Sequence, residues 1–187
     1  MRAGSAVFLV GFMGAGKTSV GRALAERLHW RFQDLDDRII EREGRSVAEI
    51  FRDSGERAFR EAEHAALRQV IEELRNGTGR AVALGGGAFA QKRNAELLRG
   101  SHVVFLDAPA EELWFRCSRQ AAETGAERPL LKSMNQFRKL YESRRKAYLQ
   151  AAVTIQTGGR EVQAIAAEIA ETFGLKATSR PAKGESE

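Results

Sequence analysis

Cysteine is nearly absent: Cys117 is the only one in 187 residues. A single thiol excludes an intramolecular disulfide, and nothing in the chain points to an oxidising compartment. His29, His64 and His102 stand in no metal-ligand spacing, which argues against a structural zinc site. No apolar run approaches the roughly 20 residues that span a bilayer. Arg2 followed by "AVFLVGFMGAG", with "ALA" at 23–25, resembles a secretory signal only superficially. Lys17 and Arg22 fall between the apolar run and the supposed cleavage site, so a cytoplasmic protein without a membrane partner is expected. Aromatic residues are only 7%, and no basic–aromatic platform interleaves. The net charge of +5 therefore suits an anionic small substrate better than nucleic acid. Neither a linker nor an internal repeat divides the chain, so one domain over 1–175 is expected.

What is present reads as a globular α/β chain, 43% hydrophobic and 29% charged. Short apolar strands are expected at 6–10, 30–36, 80–87, 102–109 and 153–157. Helices are expected at 17–28, from the capping-box spacing at Ser46 and Glu49, at 55–75, from 110, at 135–152 and at 160–174. The stretch "SRQAAETGAERPLL" looks too irregular to be core, and 176–187 reads as a disordered tail. Strands alternating with helices predict a parallel sheet with right-handed crossovers and a ligand crevice beyond its carboxyl ends. The glycine and acid clusters at 11–16, 34–36 and 85–87 all fall at such ends.

The first cluster carries the chemistry most directly. Gly11 to Thr18, "GFMGAGKT", satisfies G-x-x-x-x-G-K-[ST] between a strand and a helix. Glycines let successive backbone N–H groups of Gly14, Ala15 and Gly16 converge on one anion, and the helix starting at Lys17 adds its dipole and free amides, with Ser19 in its first turn. Lys17 would neutralise the β- and γ-phosphates, and Thr18 Oγ1 would bind Mg²⁺. In "DLD", Asp34 and Asp36 lie two apart, on one side of an extended backbone. They could serve Mg²⁺ and an acceptor hydroxyl, or be N-cap acids of a following helix. Arg60 could equally pair with Glu56 or Glu63 along its helix. Arg144 could be an anion clamp or a surface charge, on a face shared by Tyr141, Arg145 and Tyr148. Gly85-Gly86-Gly87 permits close ligand approach or a flexible turn.

Taken together, "GFMGAGKTSVGRALAERL", "FQDLDDRIIEREGRSVAEIFRDSGERAFREAE", "LGGGA", "RPLL" and "YESRRKAYLQAA" resemble shikimate kinase over residues 6 to about 173. The resemblance implies a three-layer αβα P-loop kinase with a five-stranded parallel sheet, a helical substrate-binding region near 34–64 and a lid near 117–132. It implies transfer of the ATP γ-phosphoryl to the 3-hydroxyl of shikimate, with Mg²⁺ and in a monomer. Asp34 matches the Mg²⁺-associated acid and Asp36 the acid on the substrate hydroxyls. Arg60 and Arg144 match the carboxylate grip, with Glu63 supporting Arg60 and Gly86 lining the site. Arg116 matches the arginine on adenine and Arg128 the lid arginine reaching the phosphates. Three departures stand out: Lys146 where the family often has proline, Ala83 where some members carry a hydroxyl, and a long segment between Arg116 and Arg128. A gluconate-type kinase with the same loop is the alternative enzyme, and a nucleotide-dependent binding protein the alternative outside catalysis.

Overall fold

A computed structural model describes residues 6–74, 78–124 and 133–178. Its strands are β1 (Ala6–Val10), β2 (Arg31–Asp34), β3 (Arg80–Ala83), β4 (His102–Asp107) and β5 (Val153–Gln156). Its helices are α1 (Lys17–Leu28), α2 (Leu35–Glu43), α3 (Val47–Leu74), α4 (Lys92–Leu97), α5 (Ala110–Thr124), α6 (Met134–Tyr148) and α7 (Val162–Thr172). All pairings are parallel, in the order β2-β3-β1-β4-β5. Strands buried on both faces read as continuous apolar runs, and β1 and β4 do so: Val7, Leu9, Val104, Phe105 and Leu106 are fully buried. The chain leaves β1 between β3 and β4. This is the switch point where such sheets open a crevice at their carboxyl ends.

Local signals explain most boundaries. The Ser46 capping box closes as expected: Glu49 N donates to Ser46 Oγ at 3.2 Å and Ser46 N to Glu49 Oε2 at 2.7 Å. Gly55, at φ 78° and ψ 173°, then breaks α3 into the two helices foreseen around it. α1 packs on α7 and on β2 and β3 through Val20, Ala23, Leu24 and Leu28.

Four expectations are corrected. The second strand stops at Asp34 and the chain turns helical at Leu35, so Asp36 does not lie on extended backbone. The first half of "SRQAAETGAERPLL" is helical, because α5 continues to Thr124. The third strand ends at Ala83, before the glycines. The expected tail starts too early, since Thr178 N donates to Leu28 O at 3.0 Å and its Oγ1 to His29 O at 3.0 Å. Residues 179–187 lie outside the described part. At the departures, α6 continues through Lys146 to Tyr148, and Ala83 pairs in register with Asp34.

Candidate active site

The loop after β1 wraps its backbone around a point in front of α1. Gly14 (φ 78°) shows why glycine is required there: a Cβ would meet Leu113 O at 2.8 Å and Cys117 Sγ at 2.9 Å. Beyond the loop, α1 begins at Lys17 with free amides and the positive end of its dipole. Lys17 Nζ donates to Gly11 O and Phe12 O, both at 3.0 Å, so the ammonium rests on the loop's own carbonyls. Desolvation draws Lys17 toward its neutral form, while Asp36 and Asp34 oppose this.

Gly14, Ala15, Gly16, Lys17, Thr18 and Ser19 line a cleft of about 460 Å³, as does Arg116 from α5. Arg116 spans two walls of this cleft, donating to Gly14 O at 3.2 Å, Thr157 O at 2.9 Å and Glu112 Oε1 at 2.5 Å. Arg119, Gln120, Glu123 and Arg160 also line it and were not anticipated. Residues 116, 119, 120 and 123 follow i, i+3, i+4, i+7 spacing, a one-face signal that was available once α5 was read as a longer helix.

The two aspartates part company at the start of α2. Asp34 is its N-cap, accepting from Asp36 N at 3.1 Å, so the capping alternative holds for this residue. The same carboxylate accepts from Thr18 Oγ1 at 3.2 Å through Oδ2. Capping and a place beside Thr18 are therefore compatible. Asp36 instead turns inward, and its Oδ1 is buried with no hydrogen-bond partner. Desolvation first, and the charge of Asp34 second, push its carboxyl above the usual carboxylate range.

Opposite Asp36, the triple glycine forms a floor on which side chains from α2, α3 and α6 converge. A Cβ on Gly85 would lie 2.9 Å from Asp36 Oδ1 and 3.3 Å from Glu63 Oε1. On Gly87 it would lie 2.6 Å from Arg60 Nη2, and on Gly86 3.7 Å from Arg144 Nη1. None of the three has a positive φ, so close approach rather than flexibility requires glycine at 85 and 87, whereas a Cβ on Gly86 would make only ordinary contact. Gly85→Ala should therefore displace Asp36 and lower kcat/KM at least tenfold with little loss of secondary structure, as measured by steady-state kinetics beside circular dichroism.

Arg60 makes the helix-borne pairs, to Glu63 at 2.9 Å and Glu56 at 3.2 Å. Glu63 is 1% exposed, and desolvation raises its pKa against the pull of Arg60. Arg144 differs. Its Cζ stands 5.7 Å from the centre of the Phe12 ring, and among the described residues it forms no ion pair. A half-buried guanidinium without a carboxylate has capacity left for an anion. Tyr148, fully buried, donates to Gly86 O and holds the glycine floor to α6. Arg128 lies outside the described residues, as does the second half of the expected lid.

The structure thus brings Lys17, Thr18, Asp34, Asp36, Arg60, Glu63, Gly86 and Arg144 to one end of the sheet, with Arg116 on the far side of the loop. The model of the family "SKI: Shikimate kinase" matches residues 13–173. A shikimate kinase of Geobacter sulfurreducens is 44% identical over 171 residues, covering 89% of this chain and 90% of its own length. One of Persephonella marina is 38% identical over 165 residues, covering 87% and 95%. The solved shikimate kinase of Acinetobacter baumannii, in complex with shikimate, superposes with a TM-score of 0.79 at 34% identity, covering 91% of this chain and 93% of that one. With the family model and these relatives matching most of its length, the chain belongs to the shikimate kinase family.

Proposed function

We propose that the chain transfers the γ-phosphoryl group of ATP to the 3-hydroxyl of shikimate, giving shikimate 3-phosphate and ADP, with the site residues acting as follows. The observation that carries the assignment of roles is the pairing of two anion-receptive places around one unpartnered carboxylate oxygen. The phosphate loop and α1 offer backbone N–H groups and Lys17 to a triphosphate. Arg116 borders the nucleotide on the α5 side. Across the glycine floor, Arg60 and Arg144 grip the shikimate carboxylate, with Glu63 holding Arg60 in place.

Asp36 faces the acceptor. Its orphaned Oδ1 takes the hydroxyl hydrogen bond, and its raised proton affinity suits it to receive the proton. The hydroxyl oxygen forms the new bond to the γ-phosphorus, and the bond to the β,γ-bridging oxygen breaks. Its electron pair leaves with ADP, while the hydroxyl proton passes to Asp36. Lys17 neutralises charge on the β- and γ-oxygens. Arg128, by its place in the "RPLL" motif, adds a second cation to the transferring group.

The donor set also fits Mg²⁺. That ion takes one or two protein oxygens and leaves the rest to phosphate and water, and Thr18 Oγ1 stands 3.2 Å from Asp34 Oδ2. Thr18 and Asp34 would hold it, and it would supply charge neutralisation between the β- and γ-phosphates.

Arg144→Ala should raise the shikimate KM about ten- to a hundredfold, the loss of one charge-assisted contact, and leave the ATP KM nearly unchanged. Coupled ADP release with shikimate, with gluconate and with no acceptor checks the substrate in the same assay. An unchanged shikimate KM would return Arg144 to the role of a surface charge.

A further inference from the structure

Asp107 ends β4 and is 3% exposed, yet no step of the reaction uses it. α6 holds its carboxylate from two directions. Tyr141 Oη donates to Oδ1 at 2.5 Å, and Arg145 Nη2 donates to Oδ2 at 2.8 Å. Arg145 Nε in turn donates to Tyr141 Oη at 3.2 Å, closing a ring of carboxylate, phenol and guanidinium. Gln156 of β5 reaches Oδ2 at 3.4 Å. Burial and the Asp107 hydrogen bond push the Tyr141 phenol up to about 12, so it remains a donor across the neutral range. In such a closed network each group orients the other two.

Arg145 directly follows Arg144. Neighbouring residues on a helix diverge by roughly 100°, so the two guanidinium groups serve different partners. Arg145 reaches Asp107, whereas Arg144 lies over Phe12 and beside Gly86. Tyr141 also packs edge-on against Phe12, with ring centres 5.6 Å apart. The helix that carries Arg144 is thus fastened at one point to the end of β4 and at another to the phosphate loop. A bidentate grip on a carboxylate loses strength when its guanidinium is displaced by an ångström or less.

The geometry points to Asp107 as a positioning residue for the acceptor: through Tyr141 and Arg145 it sets the rotation of α6, and so the place of Arg144 in the pocket. The inference rests on Arg144 contacting shikimate, as argued above. Asp107→Asn keeps the shape and one oxygen for Tyr141, but removes the charge that holds Arg145. It should raise the shikimate KM about tenfold, with the ATP KM within twofold of the parent.

A cycle with Arg144→Ala supplies the decisive measurement, read as kcat/KM for shikimate. If Asp107 acts through Arg144, Asp107→Asn costs less than twofold once Arg144→Ala is present. Full additivity, with each single variant impaired, overturns the positioning role and leaves Asp107 as a general stabiliser. An unchanged shikimate KM in Arg144→Ala, with Asp107→Asn still impaired, removes the Arg144 assignment and this inference with it. Tyr141→Phe keeps the ring against Phe12 and provides the same cycle should Asp107→Asn fail to fold. It should show the same loss of effect beside Arg144→Ala, and additivity there counts equally against the proposal.

Discussion

Lys17→Met should give a folded protein that has lost about 10²–10³-fold in kcat/KM for ATP, the scale for removing one preorganised donor at developing charge. Methionine keeps the unbranched stem and deletes the ammonium. Arg116 also meets a carbonyl of the phosphate loop, Gly14 O, but from the α5 side, whereas Lys17 rests on Gly11 O and Phe12 O. In the ligand-free protein that ammonium is partly desolvated, with Asp36 and Asp34 offsetting the penalty. Removing it should therefore leave thermal stability unchanged or slightly improved. Shikimate binding measured without nucleotide should stay close to that of the parent, since Lys17 serves the phosphates. Parental turnover in a folded Lys17→Met protein would take the lysine out of the mechanism.

Asp36→Asn should lower kcat by about 10²–10⁴-fold while the shikimate KM moves little. The amide preserves shape and one acceptor oxygen, but it cannot take a proton from the attacking hydroxyl. The transition state loses more than the ground state. The same substitution should raise the melting temperature of the ligand-free protein by a few degrees. A carboxylate with a buried, unpartnered Oδ1 near Asp34 is a local cost, and asparagine relieves it. Improved stability beside lost turnover separates a chemical role from damaged folding. Asp37→Asn is the control, since Asp37 is exposed on the same turn. A matching kcat loss in Asp37→Asn would reduce the Asp36 effect to a disturbance of α2.

Contiguous features were legible in the residues themselves. The phosphate loop is a run of eight residues, "GFMGAGKT", whose glycines and helix start create the anion site within one turn of chain. The capping box at Ser46, the break at Gly55 and the apolar runs of β1 and β4 are equally local. Steric limits and hydrogen bonds between near neighbours decide them, and those act the same way in any fold. The set of spaced motifs carried the family beyond this, because its members keep their order along the chain.

The tertiary structure decided what each distant side chain meets. Spacing placed Asp34 and Asp36 on one side of a strand, whereas docking of α2 starts the helix at Leu35 and sends one to Thr18 and the other inward. Helical periodicity grouped Arg144 with Arg145, but β4 and the phosphate loop draw them to different partners. By composition the triple glycine could permit close approach or be a flexible turn; it is a floor, because three helices bring Asp36, Arg60 and Arg144 to its surface. Asp107 gave no sign of its ring with Tyr141 and Arg145, 34 and 38 residues away. Contacts of that range follow from strand order and crossover packing. They are set by the burial of whole helices against the sheet, which no short run of residues encodes by itself.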